Sequence, residues 1–152
     1  MPDRKKTLLV MHGPNLNLLG EREPEIYGGM TLRELNAEIR KHAAGLGIRV
    51  LFFQSNHEGS LIDCLHRNRK RIQGLVINAG ALTHYSYALR DAIASICVPA
   101  VEVHLSDIHQ REDFRKNSVI REVCLDQICG LGMKSYFEGI NLLVRRLGKR
   151  DL

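Results

Sequence analysis

Short apolar runs alternate along this chain with segments whose apolar residues recur every three or four positions. No other feature constrains the fold as much. The clear runs are Thr7–His12, Ile48–Gln54, Gly74–Asn78 and Pro99–His104; a weaker fifth lies inside Val119–Cys129, where Asp126 and Gln127 interrupt it. Between the first two runs, Thr31-Leu-Arg-Glu34 reads as a capping box. It opens a helix that Leu32, Leu35, Ile39, His42 and Ala43 continue until Gly45 and Gly47 stop it. A second helix starts at Ser60-Leu-Ile-Asp63 and ends in the basic run RNRKR (67–71). A third covers Ser86–Ile96, the last covers Met133–Leu147, and a short helical piece is expected near Arg111–Arg115.

Strands that alternate with helices of this length build βαβ units and a parallel sheet. Strands that are apolar throughout belong in a sheet covered on both faces. The expected class is therefore α/β: a flavodoxin-like, doubly wound, five-stranded parallel sheet with helices on both faces. The 152 residues suit one domain, 1–152, long enough to bury a core without disulfides or metals.

The totals exclude several classes. No apolar stretch approaches the ~18 residues of a membrane helix. The run Leu8–Met11, cut off by Gly13-Pro14, is too short for a signal peptide, so a cytoplasmic protein is expected. The four Cys (64, 97, 124, 129) form no C-x-x-C pair and read as reduced thiols, with Cys64 and Cys97 in apolar helical patterns. The net charge of +5 gathers in RNRKR and in RRLGKR (145–150), both read as solvated helix ends. With four Tyr, four Phe and no Trp there is no visible platform for stacking bases.

Gly13–Met30 is far longer than the ~2–6 residues that join a strand to a helix. It contains Leu16, Leu18, Leu19, Ile26 and Tyr27 as apolar anchors, so a binding loop or lid is expected. Ligands of open α/β sheets sit beyond the carboxyl ends of the strands. The polar residues collect there: Asn15, Asn17, Arg22 and Tyr27 after the first strand, and Asn78, Thr83 and His84 after the third. Glu102, His104, Ser106, His109, Arg111 and Arg115 end or follow the fourth. Glu102 and His104 are two apart in a strand and share a face. A carboxylate beside an imidazole fixes its tautomer and favours its protonated form, which prepares a general acid. Cations near a phenol favour the phenolate, so Arg22 or Arg111 beside Tyr27 makes a candidate base. Which Arg serves is open at this point. His84, His104 and His109 lack metal-ligand spacing, and no metal is expected. Gly130-Leu-Gly132 resembles a dinucleotide fingerprint only in part and reads as a tight turn.

The chain resembles the type II 3-dehydroquinate dehydratases. GPNLNLLGEREPEIYG (13–28), QSNHEGSLID (54–63), VINAGALTHYSYALRDAI (76–93), VEVHLSDIHQREDFR (101–115) and GLG (130–132) carry the resemblance. It implies a lyase that removes water from 3-dehydroquinate through an enolate, without cofactor or metal, in the shikimate pathway or in quinate catabolism. It implies Tyr27 as base, kept ionised by Arg22 with help from Arg111. Asn15 would stabilise the enolate, and His104, oriented by Glu102, would act as the acid. Asn78, His84 and Arg115 would hold substrate hydroxyls, and the amides of Leu105 and Ser106 its carboxylate. Asp91 would reach in from a neighbouring subunit of a dodecamer built from four trimers. His12, Asp107, Asn117-Ser118-Val119 and Ser135 depart from the family pattern; Asp107 would place a negative charge near the carboxylate site, and Asp126-Gln127 would alter subunit contacts. The alternative is a catalytically inactive flavodoxin-like protein that binds anions or nucleic acid.

Overall fold

The computed structural model describes residues 4–150. Five parallel strands form one sheet: β1 (Thr7–His12), β2 (Arg49–Gln54), β3 (Gly74–Asn78), β4 (Ala100–His104) and β5 (Asp126–Cys129). Their order is β2-β1-β3-β4-β5, the flavodoxin-like winding whose switch point lies between β1 and β3. Among the described residues, five α-helices accompany the sheet: α1 (Pro24–Tyr27), α2 (Leu32–Gly45), α3 (Glu58–Asn68), α4 (Tyr87–Ser95) and α5 (Lys134–Arg150).

The pleat divides the core in two. Leu8 and Val10 of β1 face α2 and α5, packing with Leu35, Ile39, Ile140 and Leu143. Leu9 and Met11 face α3 and α4, with Leu61, Leu65, Leu89 and Ile93. Each of these residues is at most 1% exposed. β3 and β4 are buried along their whole length, as central strands covered on both faces must be, whereas no residue of the edge strands β2 and β5 is fully buried. Full burial of such side chains stabilises the fold by about 1.5–3 kcal/mol each. The Thr31 capping box forms as expected: Thr31 Oγ1 accepts from the Glu34 amide at 3.2 Å, and Glu34 Oε2 accepts from the Thr31 amide at 3.0 Å.

Three expectations need correction. The second helix starts at Glu58, with His57 at its cap and no side-chain capping bond, so it lacked the Ser signal looked for at residue 60. Cys97 sits just past α4, exposed, with a left-handed φ of 54°. The long loop carries two short helical pieces that were not expected, a 3-10 turn at Leu16–Leu18 and then α1.

The register aligns the strand ends. His12 pairs with Gln54 and Asn78, and His104 with Cys129, so the five carboxyl termini form one edge. Gly13 locks the start of the long loop onto this edge. Its amide donates to the Asn78 carbonyl at 2.7 Å, and a Cβ there would lie 2.4 Å from the Ala79 carbonyl oxygen. No larger residue fits this crossing.

Candidate active site

Beyond the strand ends, at the β1/β3 switch point, lies a cavity of about 130 Å³. Asn15, Arg22, Tyr27, Asn78, His84, His104, Leu105, Ser106, Arg111 and Arg115 all line it. Of the residues expected to act, Glu102 and Asp91 do not line it. Glu102 lies behind His104, as a positioning carboxylate should, while Asp91 is on α4 with its side chain 75% exposed.

β4 delivers the acid pair. Glu102 is 0% exposed and His104 5%, and the His104 Nε2 to Glu102 Oε2 distance is 2.6 Å. A carboxylate only accepts, so Nε2 carries the hydrogen and Nδ1 is left for the cavity. Two donors absent from the expectations complete the shell: Ser118 Oγ reaches Glu102 Oε1 at 2.7 Å, and Gln127 Nε2 reaches Oε2 at 2.8 Å. Burial pushes the Glu102 pKa up, but the bonds from His104, Ser118 and Gln127 outweigh it and hold the carboxyl below its ordinary range. A polar residue inside the edge strand β5 was the available signal for Gln127; no local signal marks Ser118.

The long loop delivers the phenol. Arg111 Nη1 donates to the Tyr27 oxygen at 2.6 Å, and the Arg111 guanidinium carbon is 5.4 Å from the ring centre. Arg22 contributes differently, stacking at 5.2 Å over the ring. Glu23 sits between the two guanidiniums, 3.7 Å from Arg22 and 3.8 Å from Arg111. The hydrogen-bonding Arg is thus Arg111, supplied 84 residues away, which local spacing could not reveal.

The remaining groups are fixed by their neighbours. Asn15 adopts φ 70°, and its amide donates to Asn56 Oδ1 at 2.9 Å, turning the loop over the sheet edge. His84 Nδ1 donates to the Asn117 carbonyl at 2.7 Å, leaving Nε2 as an acceptor; burial holds its pKa below the ordinary value. Arg115 is ion-paired with Glu112. Gly132 and Gly130, with φ 59° and 80°, donate to the carbonyls of Leu105 (3.1 Å) and Ser106 (3.1 Å). Pinning the Leu105 carbonyl fixes that peptide plane and turns the Ser106 N–H the opposite way. The Gly-Leu-Gly segment is therefore a turn that orients the wall. Asp107 does not line the cavity; its Oδ1 accepts from the His109 amide at 3.0 Å. Gln127, suspected of altering subunit contacts, points inward to Glu102. The described residues contain no group of three or more His, Cys, Asp or Glu placed to hold a metal.

Behind Asn78 runs a buried relay. His12 Nε2 donates to Asn36 Oδ1 at 2.8 Å, so its Nδ1 accepts from the Tyr136 hydroxyl at 3.0 Å. The Tyr136 oxygen accepts from Asn78 Nδ2 at 3.1 Å, and Asn78 Oδ1 accepts from the Gly80 amide at 3.2 Å. Burial lowers the His12 pKa from 6.5 to about 4 and raises that of Tyr136. Between these two values for His12 the unfolded chain binds a proton that the folded one refuses. Stability should therefore fall as pH drops from 6.5 to about 4, by about 3 kcal/mol for a gap of that size. The Glu102 contribution is present above about 4.5 and is lost only below it. Urea midpoints across pH 7 to 4 should slope in the wild type and flatten in His12→Gln; an unchanged slope in the variant would place the effect elsewhere.

A family model described as dehydroquinase class II matches residues 6–144. The chain is 55% identical over 140 residues to a 3-dehydroquinate dehydratase of Halothermothrix orenii, covering 92% of this chain and 95% of that one. A solved type II dehydroquinase from Butyrivibrio crossotus superposes with a TM-score of 0.90 at 45% identity, over 91% of this chain and 97% of the other. Another, from Propionibacterium acnes, gives 0.89 at 37% identity, over 93% and 97%.

Proposed function

The chain belongs to the class II dehydroquinase family, and on that footing we propose how its residues share the work of the reaction. It is a 3-dehydroquinate dehydratase, a hydro-lyase that removes water from 3-dehydroquinate to give 3-dehydroshikimate. An inactive anion- or nucleic-acid-binding relative finds no support, since the matched proteins carry the enzyme's name.

In this reading Tyr27 takes the proton next to the substrate ketone. The observation that carries it is the 2.6 Å bond from Arg111 to the Tyr27 oxygen, made within the cavity. A guanidinium donating to a phenol oxygen stabilises the anion that a base must present. Arg22, over the ring, adds to that field. The electrons of the broken C–H bond move to the ketone oxygen, where Asn15 stabilises the enolate. They return to form the C=C bond as the C–O bond breaks, and His104 Nδ1 protonates the departing hydroxyl as water. Glu102 holds the imidazolium that supplies that proton. Asn78, His84 and Arg115 hold the hydroxyls, and the amides of Leu105 and Ser106 take the carboxylate. The steps are removal of a proton and acid-assisted loss of water, and neither calls on a cofactor or a metal.

We also propose that residues 1–152 act as one catalytic domain, cytoplasmic, and assembled as a dodecamer of four trimers. Asp91 supports the assembly: it is exposed, lies on α4 outside its own cavity, and is paired only loosely, at 3.7 Å, with the adjacent Arg90. Among the described residues, no helix is long and apolar enough to cross a membrane. Purified protein mixed with 3-dehydroquinate in the presence of a chelator should produce the ultraviolet absorbance of a conjugated enone, at a rate untouched by borohydride. A flat trace from folded protein would overturn the assignment. Borohydride inactivation would overturn the enolate route in favour of a Schiff base.

A further inference from the structure

At the far end of the sheet, where the strands begin, lies a larger recess of about 550 Å³. It is one strand length, roughly 20 Å, from the catalytic cavity. Arg4 and Lys5 enter it ahead of β1, where Lys6, whose Nζ donates to the Leu147 carbonyl at 3.5 Å, also lines it; Arg49 comes from the first residue of β2, and Lys70, Arg71 and Gln73 from the turn between α3 and β3. Among the described residues, no acidic side chain lines it. Among the described residues, none of Arg4, Lys5, Arg49, Lys70 and Arg71 belongs to an ion pair. Gln73 Oε1 accepts from the Thr7 amide at 2.7 Å, which fixes the side chain and leaves its NH₂ as a neutral donor.

Helices end at this side of the sheet, and cations there complement their dipoles. That accounts for basic residues being present. It does not account for five of them, besides Lys6, lining one concavity with no acidic side chain among the described residues of its wall, an arrangement that costs repulsion until an anion enters. The run 67–71, read from sequence as a solvated helix end, supplies two of the five.

We propose that this recess binds a small oligophosphate, a chain of two or more phosphoryl groups. Only a compact multivalent anion answers five cations at once. Arg presents paired donors matched to phosphate oxygens, and Lys a point charge. The volume is that of a small-molecule site. Among the described residues, no aromatic side chain lines the recess to stack a base, which disfavours nucleic acid. The site stands apart from the catalytic cavity and does not depend on its assignment.

Inorganic tripolyphosphate, titrated calorimetrically into the intact protein at low salt, is the test. One ion should bind per chain, with affinity falling as salt rises. Lys70→Ser/Arg71→Ser and, separately, Arg49→Ser should each weaken binding by about tenfold or more. Both variants should keep the wild-type kcat. Arg145→Ser/Arg146→Ser removes equal charge from the exposed face of α5 and should bind as wild type. Absence of binding would overturn the proposal. So would equal weakening in the α5 variant, which would mean diffuse attraction. Competition with 3-dehydroquinate in the recess variants would place the ion among Arg22, Arg111 and Arg115 instead, and tighter binding of duplex DNA at equal phosphate would favour nucleic acid. Either result overturns it.

Discussion

Tyr27→Phe should leave a folded protein whose turnover of 3-dehydroquinate falls by roughly 10³-fold, the scale of losing a positioned base. The substitution deletes one oxygen from a half-buried residue of α1 and leaves the ring under Arg22, so little stability is at stake. It also strips Arg111 of its 2.6 Å acceptor. The informative measurement is the loss of the substrate's acidic C–H in deuterated water, followed by proton NMR. If Tyr27 removes that proton, exchange and elimination should vanish together. Wild-type exchange in the variant would remove Tyr27 from the role of base, whatever happened to turnover.

His104→Ala separates the second half of the reaction from the first. Elimination should fall by about 10²–10⁴-fold, the range for a lost general acid. Exchange should persist, because Tyr27 and Arg111 are untouched. The variant leaves Glu102 buried with Ser118 and Gln127 as its remaining donors, so it should also unfold more easily, by about 1–3 kcal/mol. His104→Gln keeps a donor in place and guards against mistaking instability for lost chemistry. Elimination at the wild-type rate in either variant would show that the leaving hydroxyl takes its proton elsewhere.

The residues explain why some of this was legible beforehand and some was not. β1, β3 and β4 announce themselves because burial on both faces demands unbroken apolar runs. α2 does so because its cap is chemical and local, with Thr31 and Glu34 three residues apart. β5 is an edge strand four residues long, and two of the four are polar, one of them spent on Glu102. α3 lacks a capping side chain, so its start carried no mark. At the site, Glu102 and His104 could be paired from strand periodicity alone. The partner of Tyr27 could not, because Arg111 meets it only through the tertiary fold. Ser118, Gln127 and the His12–Tyr136–Asn78 relay are likewise products of packing between distant segments.

The two halves of the chemistry rest on ground of different firmness. The acid pair belongs to β4, where every residue is buried, whereas no residue between 20 and 30, around the base, is fully buried. Openings that need little surface exposed occur long before global unfolding. On warming, the loop should therefore come free while the sheet is intact. Catalysis would fade below the melting temperature, and hydrogen exchange would quicken at Gly28 and Tyr27 while Val103 stayed protected. The enzyme's working ceiling would be set by eleven residues of one loop, not by its core.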